Sequence, residues 1–552
     1  MSSRFNPTHI LAIVILLVVL GCSKGAIPEP IIYTDSGVLQ DSLTPMPTST
    51  NTAGGLNLVS SLNVPHWDVH LSASPVLASW GPGIVYSRLL RFESGSYVTT
   101  DNASIECDLC RSWQRVNPIT YVFHLKENVL WQDVSPVSGR ELIAEDIVFS
   151  IKRQIKTGYP NAPLLQSIQT IEAEGKYTVR ITLKSPDSDF IASLASGFTK
   201  IVAPEAVNLK GDLKDGPVIG SGPWIWDGTK DGLGYFFKAN TNYYESDLPN
   251  LDHLNILVIP DEQTRIAAFR LKKLDLIESP PEEFRIIREN HPETNFLLYK
   301  EAGTGLELGL NVNRPPLDNL QLRKAIFSSI DPWYAIDTIW NGLGFVSQGI
   351  PVANLEWLLK DEEIRSYLAN PSNAAYFFEA ASLGGSPSID ITVADYGDIY
   401  LEYGRYLANQ LETTGFHVSM NVINPMDYPD DIWYGGNYQV FVGPIAPIMT
   451  PNMYLFSVLH SQGSWNTHAY RDSKLDSLIE EQAVTLDSAR RQHLLLEIQR
   501  HIMNEAVRFM PVTKVSTWVW WPKVEDFHPN LTFGEYFYLA RLSEGSNGIV
   551  TN

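Results

Sequence analysis

The chain has 552 residues, with 41 Lys and Arg against 62 Asp and Glu and a formal charge of −21. At 44 % hydrophobic and 19 % charged it has a globular composition, not a disordered or collagen-like one. The acidic balance, with no basic stretch anywhere, speaks against nucleic acid as a partner.

In chain order, the first predicted element is the apolar run Ile10–Leu20. As a helix it would be about 16 Å long, well short of the roughly 30 Å hydrocarbon core of a bilayer. With Arg4 and His9 ahead of it, it has the length and flank of a signal-peptide core. It ends in Val19-Leu20-Gly21-Cys22, which resembles the lipobox of bacterial lipoproteins. The resemblance implies a lipoprotein signal peptide over 1–22, with Cys22 lipidated as the new N-terminus. The mature chain would then be extracytoplasmic and lipid-anchored to the cell membrane, on the periplasmic face in a two-membrane cell. From Thr34 to Gly55 the chain is rich in Ser, Thr, Pro, Asn and Gly, so a flexible tether is expected over 23–55. No later stretch is apolar for 18 residues, and 516–521 (STWVWW) is too short to span.

The remaining body of about 500 residues exceeds a single core, so two or three domains are expected. Helical periodicity marks 144–152, 262–271, 320–330 and 473–482, the last with Asp472 placed as its N-cap. Strand-like runs occupy 121–125, 178–183, 254–259 and 508–512. Strands and helices interleave without a regular βαβ period, which predicts α/β domains with interruptions. Besides Cys22 there are two cysteines, Cys107 and Cys110, in a CxxC with no second pair for zinc. Outside the cytoplasm they suit a local disulfide, with two buried thiols as the alternative. No redox function is assigned to them.

No nucleophile elbow, zinc helix or phosphate loop is present, so no catalytic residue, metal or cofactor is assigned. Gly303-Thr304-Gly305 misses a dinucleotide fingerprint and reads as a turn. His493, Glu497 and His501 share one helical face, but the apolar stripe of Leu494, Leu495, Ile498 and Ile502 turns that face to solvent. Aromatics are abundant, 14 Trp and 24 Tyr, and Trp80, Trp433-Tyr434 and Trp465 fall in expected loops, where such side chains often line a binding cleft.

Taken in order, several segments resemble the extracytoplasmic solute-binding proteins of peptide and nickel ABC importers, bacterial family 5. They include 56–74 (LNLVSSLNVPHWDVHLSAS), 110–133 with its SWQRVNPITYVFHLKENVLWQD, and 141–153 (ELIAEDIVFSIKR). Further on come 220–226 (GSGPWIW), 242–276 and 315–331 (PPLDNLQLRKAIFSSID). The likeness runs from about Leu56 to Leu542. It implies a periplasmic-binding-protein-like α/β fold of type II with three lobes, mixed sheets flanked by helices around a hinged cleft. Lobe I would comprise 56–85, 204–298 and 516–545, lobe II 86–203, and lobe III 299–515.

The same resemblance implies a monomer that captures a small-molecule or oligopeptide-like solute in the cleft. The solute then passes to ABC permease and ATPase subunits in the membrane. A sensor or scaffold of the same fold and an extracytoplasmic hydrolase are the alternatives. Expected ligand-binding residues are Trp80, Tyr86, Trp433, Trp465 and Asn466, the last from the likeness of GSWNTHAYRDSKLDSLI (463–479) to the family. Peptide binders of the family carry an acidic residue for the ligand's ammonium, and in VGPIAPIMTPNMYLF (442–456) Pro447 falls in its place. A free-N-terminus peptide is therefore not expected, and a blocked peptide, oligosaccharide or other organic solute fits better. A slip of the loop would instead offer Asp427, Asp430 or Asp431 as the anchor.

Overall fold

The structure is a computed structural model that describes residues 31–34, 54–95, 98, 103–230, 232–382, 384–446, 448–529 and 536–543. Cys22 and Pro447 lie outside the described residues.

Alternation of inward and outward side chains builds the first sheet. In strand Gly55–Ser60 the residues Leu56 and Leu58 point inward at period two. This strand runs parallel to His253–Val258, and the sheet continues through Gly234–Ala239 to Trp224–Lys230. A second, antiparallel sheet orders Ile31–Thr34, Cys110–Asn117, Thr120–Leu125, Thr178–Leu183 and Ile168–Ala173. Both sheets share one hydrophobic core, in which Leu56, Phe123, Phe237 and Tyr538 all take part. Together they form a first body.

The second body has cores of its own. Its seven-stranded sheet carries Ser388–Ala394 parallel to both His417–Ile423 and Val440–Pro444. Leu308, Phe327, Val393 and Tyr403 fill one cluster. Leu475, Leu494 and Ile498, from helices Ser473–Val484 and Ser488–Glu505, fill another. Helix Ser473–Val484 starts as its sequence predicts, Asp472 accepting the Leu475 N–H at 2.8 Å.

Two antiparallel strands join the bodies. Asn295–Leu310 has 16 residues and Arg508–Trp520 has 13, so at about 3.3 Å per residue they extend roughly 50 and 40 Å. Trp518 and Tyr299 pack in the first core, whereas Leu306, Phe509 and Val512 pack in the second. The strand expected over 508–512 is thus much longer, and STWVW (516–520) forms its far end. Mixed apolar and hydroxyl residues suit a strand that is buried along both faces.

A further difference concerns the N-terminal region. Within the tether expected over 23–55, Ile31–Thr34 is an edge strand on Cys110–Asn117, Ile31 opposite Arg115 and Thr34 opposite Ser112. Its β-branched and aromatic residues (IIYT) suit such an edge better than a coil. Cys107 and Cys110 form a disulfide, their Cα atoms 5.0 Å apart. It closes the reversal where Asp108 N–H and Cys110 N–H both donate to the Leu89 carbonyl.

Candidate functional site

Where the bodies meet at the crossing strands lies a cavity of about 600 Å³. The first body contributes Trp80, Phe92 and Phe198, the crossing strands Tyr299 and Trp518, and the second body Pro351, Trp357 and Met449. An adjoining cavity of about 520 Å³ lies beside it, with Glu278 and Thr304 lining both.

A register jump builds the floor. Lys300 pairs with Val515 and the next pair is Gly305 with Thr513, so Glu301, Ala302, Gly303 and Thr304 stand opposite Lys514 alone. All four of these residues line the larger cavity. Gly303 makes the bulge possible: its φ of +78° is a conformation that L side chains rarely adopt, and a Cβ there would run into Pro351. The Gly303-Thr304-Gly305 segment, expected to be a turn, is therefore a bulge inside a continuous strand.

The bulge assembles a charged cluster. Lys514 Nζ lies 2.7 Å from Glu278 Oε1 and 3.5 Å from Glu301 Oε1. Ser516 Oγ donates to Glu278 Oε1 at 2.6 Å and also to Glu301 Oε1. Burial, and then the charge of Glu278, push the Glu301 carboxyl above its ordinary value against the pull of Lys514. Burial acts on Glu278 too, but Lys514 and Ser516 hold it below the ordinary value. Burial opposes the Lys514 charge, and the two carboxylates outweigh that effect and raise its pKa.

A second polar group ties the bodies together at the cavity wall. Asp189, before helix Phe190–Ala195 of the first body, accepts from Arg491 of helix Ser488–Glu505 at 2.5 Å and from Asn452 N–H at 2.7 Å. Arg491 also donates to the Ser188 carbonyl at 2.9 Å. Ser188 N–H donates to the Ala483 carbonyl, and Ala103 N–H to that of Ala353.

Of the five expected ligand-binding residues, Trp80 alone lines the cavity. It is half-buried, parallel to Trp518 at 5.8 Å and edge-on to Phe537 at 5.2 Å. Tyr86 is 4 % exposed and sits in the first core. Its neighbour Val85 presses its carbonyl against Gly220 and Gly222, so the GSGP segment packs closely there and Tyr86 and Pro223 border a pocket of only about 20 Å³. Trp433 packs against Tyr428 at 5.6 Å, and Trp465 packs on the helical cluster beside Tyr434. Asn466 uses its amide within its own loop, donating to the carbonyls of His460 at 2.9 Å and Tyr470 at 2.8 Å. These loops fold against the second body's own core, which is why their aromatics stand away from the cavity.

Asp427, Asp430 and Asp431 line neither cavity. His493 is exposed, Glu497 lies 3.7 Å from Lys474 Nζ, and His501 Nε2 lies 3.1 Å from Tyr470 Oη. Among the described residues no three His, Cys, Asp or Glu side chains are grouped to hold a metal, and no helix is long and apolar enough to cross a membrane. Sequence reasoning missed Trp518, Tyr299, Trp357, Glu278, Glu301 and Lys514. The WVWW run and the glycines at 303 and 305 were the signals that could have found them.

Two separately cored α/β bodies, joined by crossing strands, enclose a cavity of the kind that small molecules occupy. The sequence profile of the bacterial extracellular solute-binding proteins, family 5, matches residues 104–467, more than half the chain. The chain is similar to heme-binding protein A of Haemophilus influenzae, 24 % identical over 76 % of this chain and 80 % of that protein. It is also similar to di/tripeptide-binding protein 1 of Pseudomonas aeruginosa, 23 % identical over 78 % and 83 %. Among solved structures, the ABC transporter substrate-binding protein CtaP of Listeria monocytogenes superposes with a TM-score of 0.76 at 19 % identity, covering 89 % of this chain and 100 % of that one. The periplasmic binding protein DppA of Helicobacter pylori, in complex with the peptide STSA, gives 0.68 at 21 %, covering 89 % and 98 %. This chain belongs to the family 5 bacterial extracellular solute-binding proteins. Its role is that of an extracellular solute-binding protein.

Proposed function

We propose that the protein captures a peptide-like or other small organic solute in the 600 Å³ cavity between its two bodies and hands it, closed, to a membrane permease with its ATPase. The observation that carries this reading is the placement of that cavity: its walls come from two bodies with separate cores, so a solute touching both favours the closed arrangement by its extra contacts. Its volume is that of a site for a drug-sized molecule. In this reading lobe I comprises 56–85, 204–298 and 516–545, lobe II 86–203 and lobe III 299–515. The protein acts as a monomer, without chemistry of its own, and is held to the outer face of the cell membrane by a lipid on Cys22.

The test is mass spectrometry of small molecules extracted from the purified, unlipidated chain, wild type beside Ala353→Trp, whose ring would fill the cavity that Ala353 lines. A solute recovered from the wild type and lost from the variant is the expected result. Equal recovery from both would place the binding site elsewhere, and turnover of generic ester, peptide or glycoside substrates would make the protein an enzyme.

A further inference from the structure

We propose that Glu301 is the specificity-determining residue of the cleft and selects solutes that carry a cationic group, an ammonium or a guanidinium, on an apolar body. This rests on the cleft being the solute site and goes on to name the solute's chemistry.

The charges lining the larger cavity do not balance. Its acidic residues are Asp189, Glu278 and Glu301, and its one basic lining residue is Arg491. Arg491 is taken up by Asp189 at 2.5 Å, which also holds Asn452 N–H. Lys514 reaches in from the adjoining cavity and lies closest to Glu278, at 2.7 Å against 3.5 Å for Glu301. Three carboxylates therefore face two cations, and the less well paired carboxylate is Glu301. Its contacts with Lys514 and Ser516 both fall on Oε1. Only 16 % of the Glu301 side chain is exposed. A carboxylate withdrawn from water without a full counter-charge is unfavourable, and a cation brought by the solute restores the balance. Burial, and then the charge of Glu278, raise the Glu301 pKa despite the pull of Lys514.

The wall around it suits a cation as well. Trp80, Trp518 and Tyr299 line the same cavity, and aromatic faces attract ammonium and guanidinium groups while covering apolar side chains. Glu301 is also held rigidly, on a strand and in a bulge locked by the Gly303–Pro351 contact, so little ordering is needed when the solute arrives. Among the described residues lining the two cavities, the cations Arg491, Lys514 and Arg265 are already paired with Asp189, Glu278 and Glu262.

The experiment is calorimetric titration of the unlipidated full chain with matched probes. These are Ala-Phe-Ala with a free N-terminus, its N-acetyl form, phenethylamine, phenethyl alcohol and phenylacetate. At least one amine-bearing probe is expected to bind, with its neutral or anionic counterpart roughly tenfold weaker or worse. Glu301→Gln is expected to abolish that preference, with a thermal midpoint close to wild type; Glu278→Gln, which frees Lys514 to pair with Glu301, is expected to weaken it. Binding of the tripeptide alone identifies a peptide ammonium, and binding of phenethylamine alone a non-peptide amine; either supports the assignment. Equal binding of charged and neutral probes, a preference that survives Glu301→Gln, or no binding by any amine overturns it. Ala353→Trp separates the two claims. If it abolishes binding of probes that show no charge preference, the cleft is the site and the role of Glu301 alone has failed; if binding survives it, the cleft reading has failed.

Discussion

Arg491 donates to Asp189 at 2.5 Å across two bodies that otherwise keep separate cores. Both residues are nearly buried, and both line the cavity. The pair therefore exists, desolvated, only while the bodies are together. Asp189→Asn removes one charge and leaves Arg491 buried and unpaired in the closed form, whereas opening returns it to water. We expect closure to weaken by about 2 kcal/mol, roughly thirtyfold in affinity. The loss should appear mainly as faster solute release in stopped-flow fluorescence, with little change in thermal midpoint.

Trp80 and Trp465 divide binding from packing. Trp80 lines the cavity, so Trp80→Ala is expected to lower solute affinity at least tenfold by calorimetry. Trp465 packs on the helical cluster away from the cavity, so Trp465→Ala is expected to cost about 2 kcal/mol of stability in urea unfolding and to leave affinity unchanged. The reverse pattern would move the binding surface to the 463–470 loop.

Within the second body, Glu307 and Arg508 form a buried ion pair, with Arg508 Nε 3.0 Å from Glu307 Oε1. Glu307→Gln leaves the arginine charge unpaired, and we expect a loss of about 3–5 kcal/mol in unfolding free energy. Arg508→Met together with Glu307→Gln should recover part of it.

Stability should fall in mild acid through His70. Burial, and then the Arg153 charge, lower its pKa from 6.5 to about 4, and its Nε2–H donates to the Lys200 carbonyl at 2.8 Å. Between these values the unfolded chain binds a proton that the folded chain refuses. The contribution is thus complete above pH 6.5 and declines as pH falls toward 4. By pH 4.5 the loss from this residue is about 2–3 kcal/mol. Urea midpoints across this range should show the decline, and His70→Gln should flatten it.

The parts of the fold legible in the sequence were those governed by local periodicity. The strand at 121–125, the Asp472 cap and the helix from Ser473 could be placed because each depends on neighbours within a few residues. The family could be read from ordered segments. The cavity lining could not, because Trp80, Glu278, Glu301, Trp357 and Trp518 meet only after the chain has crossed between bodies and doubled back along two long strands. Loop aromatics such as Trp433 and Trp465 looked equally eligible, yet local packing claimed them. Gly303 read as a turn because a positive φ leaves the same signature in a turn and in a bulge.

Solution X-ray scattering of the unlipidated chain, stripped of small molecules and then resaturated with its own copurifying solute, tests closure around a solute most directly. We predict a smaller radius of gyration on resaturation, and no such change in Ala353→Trp. Superimposable wild-type profiles with and without bound solute would contradict the account.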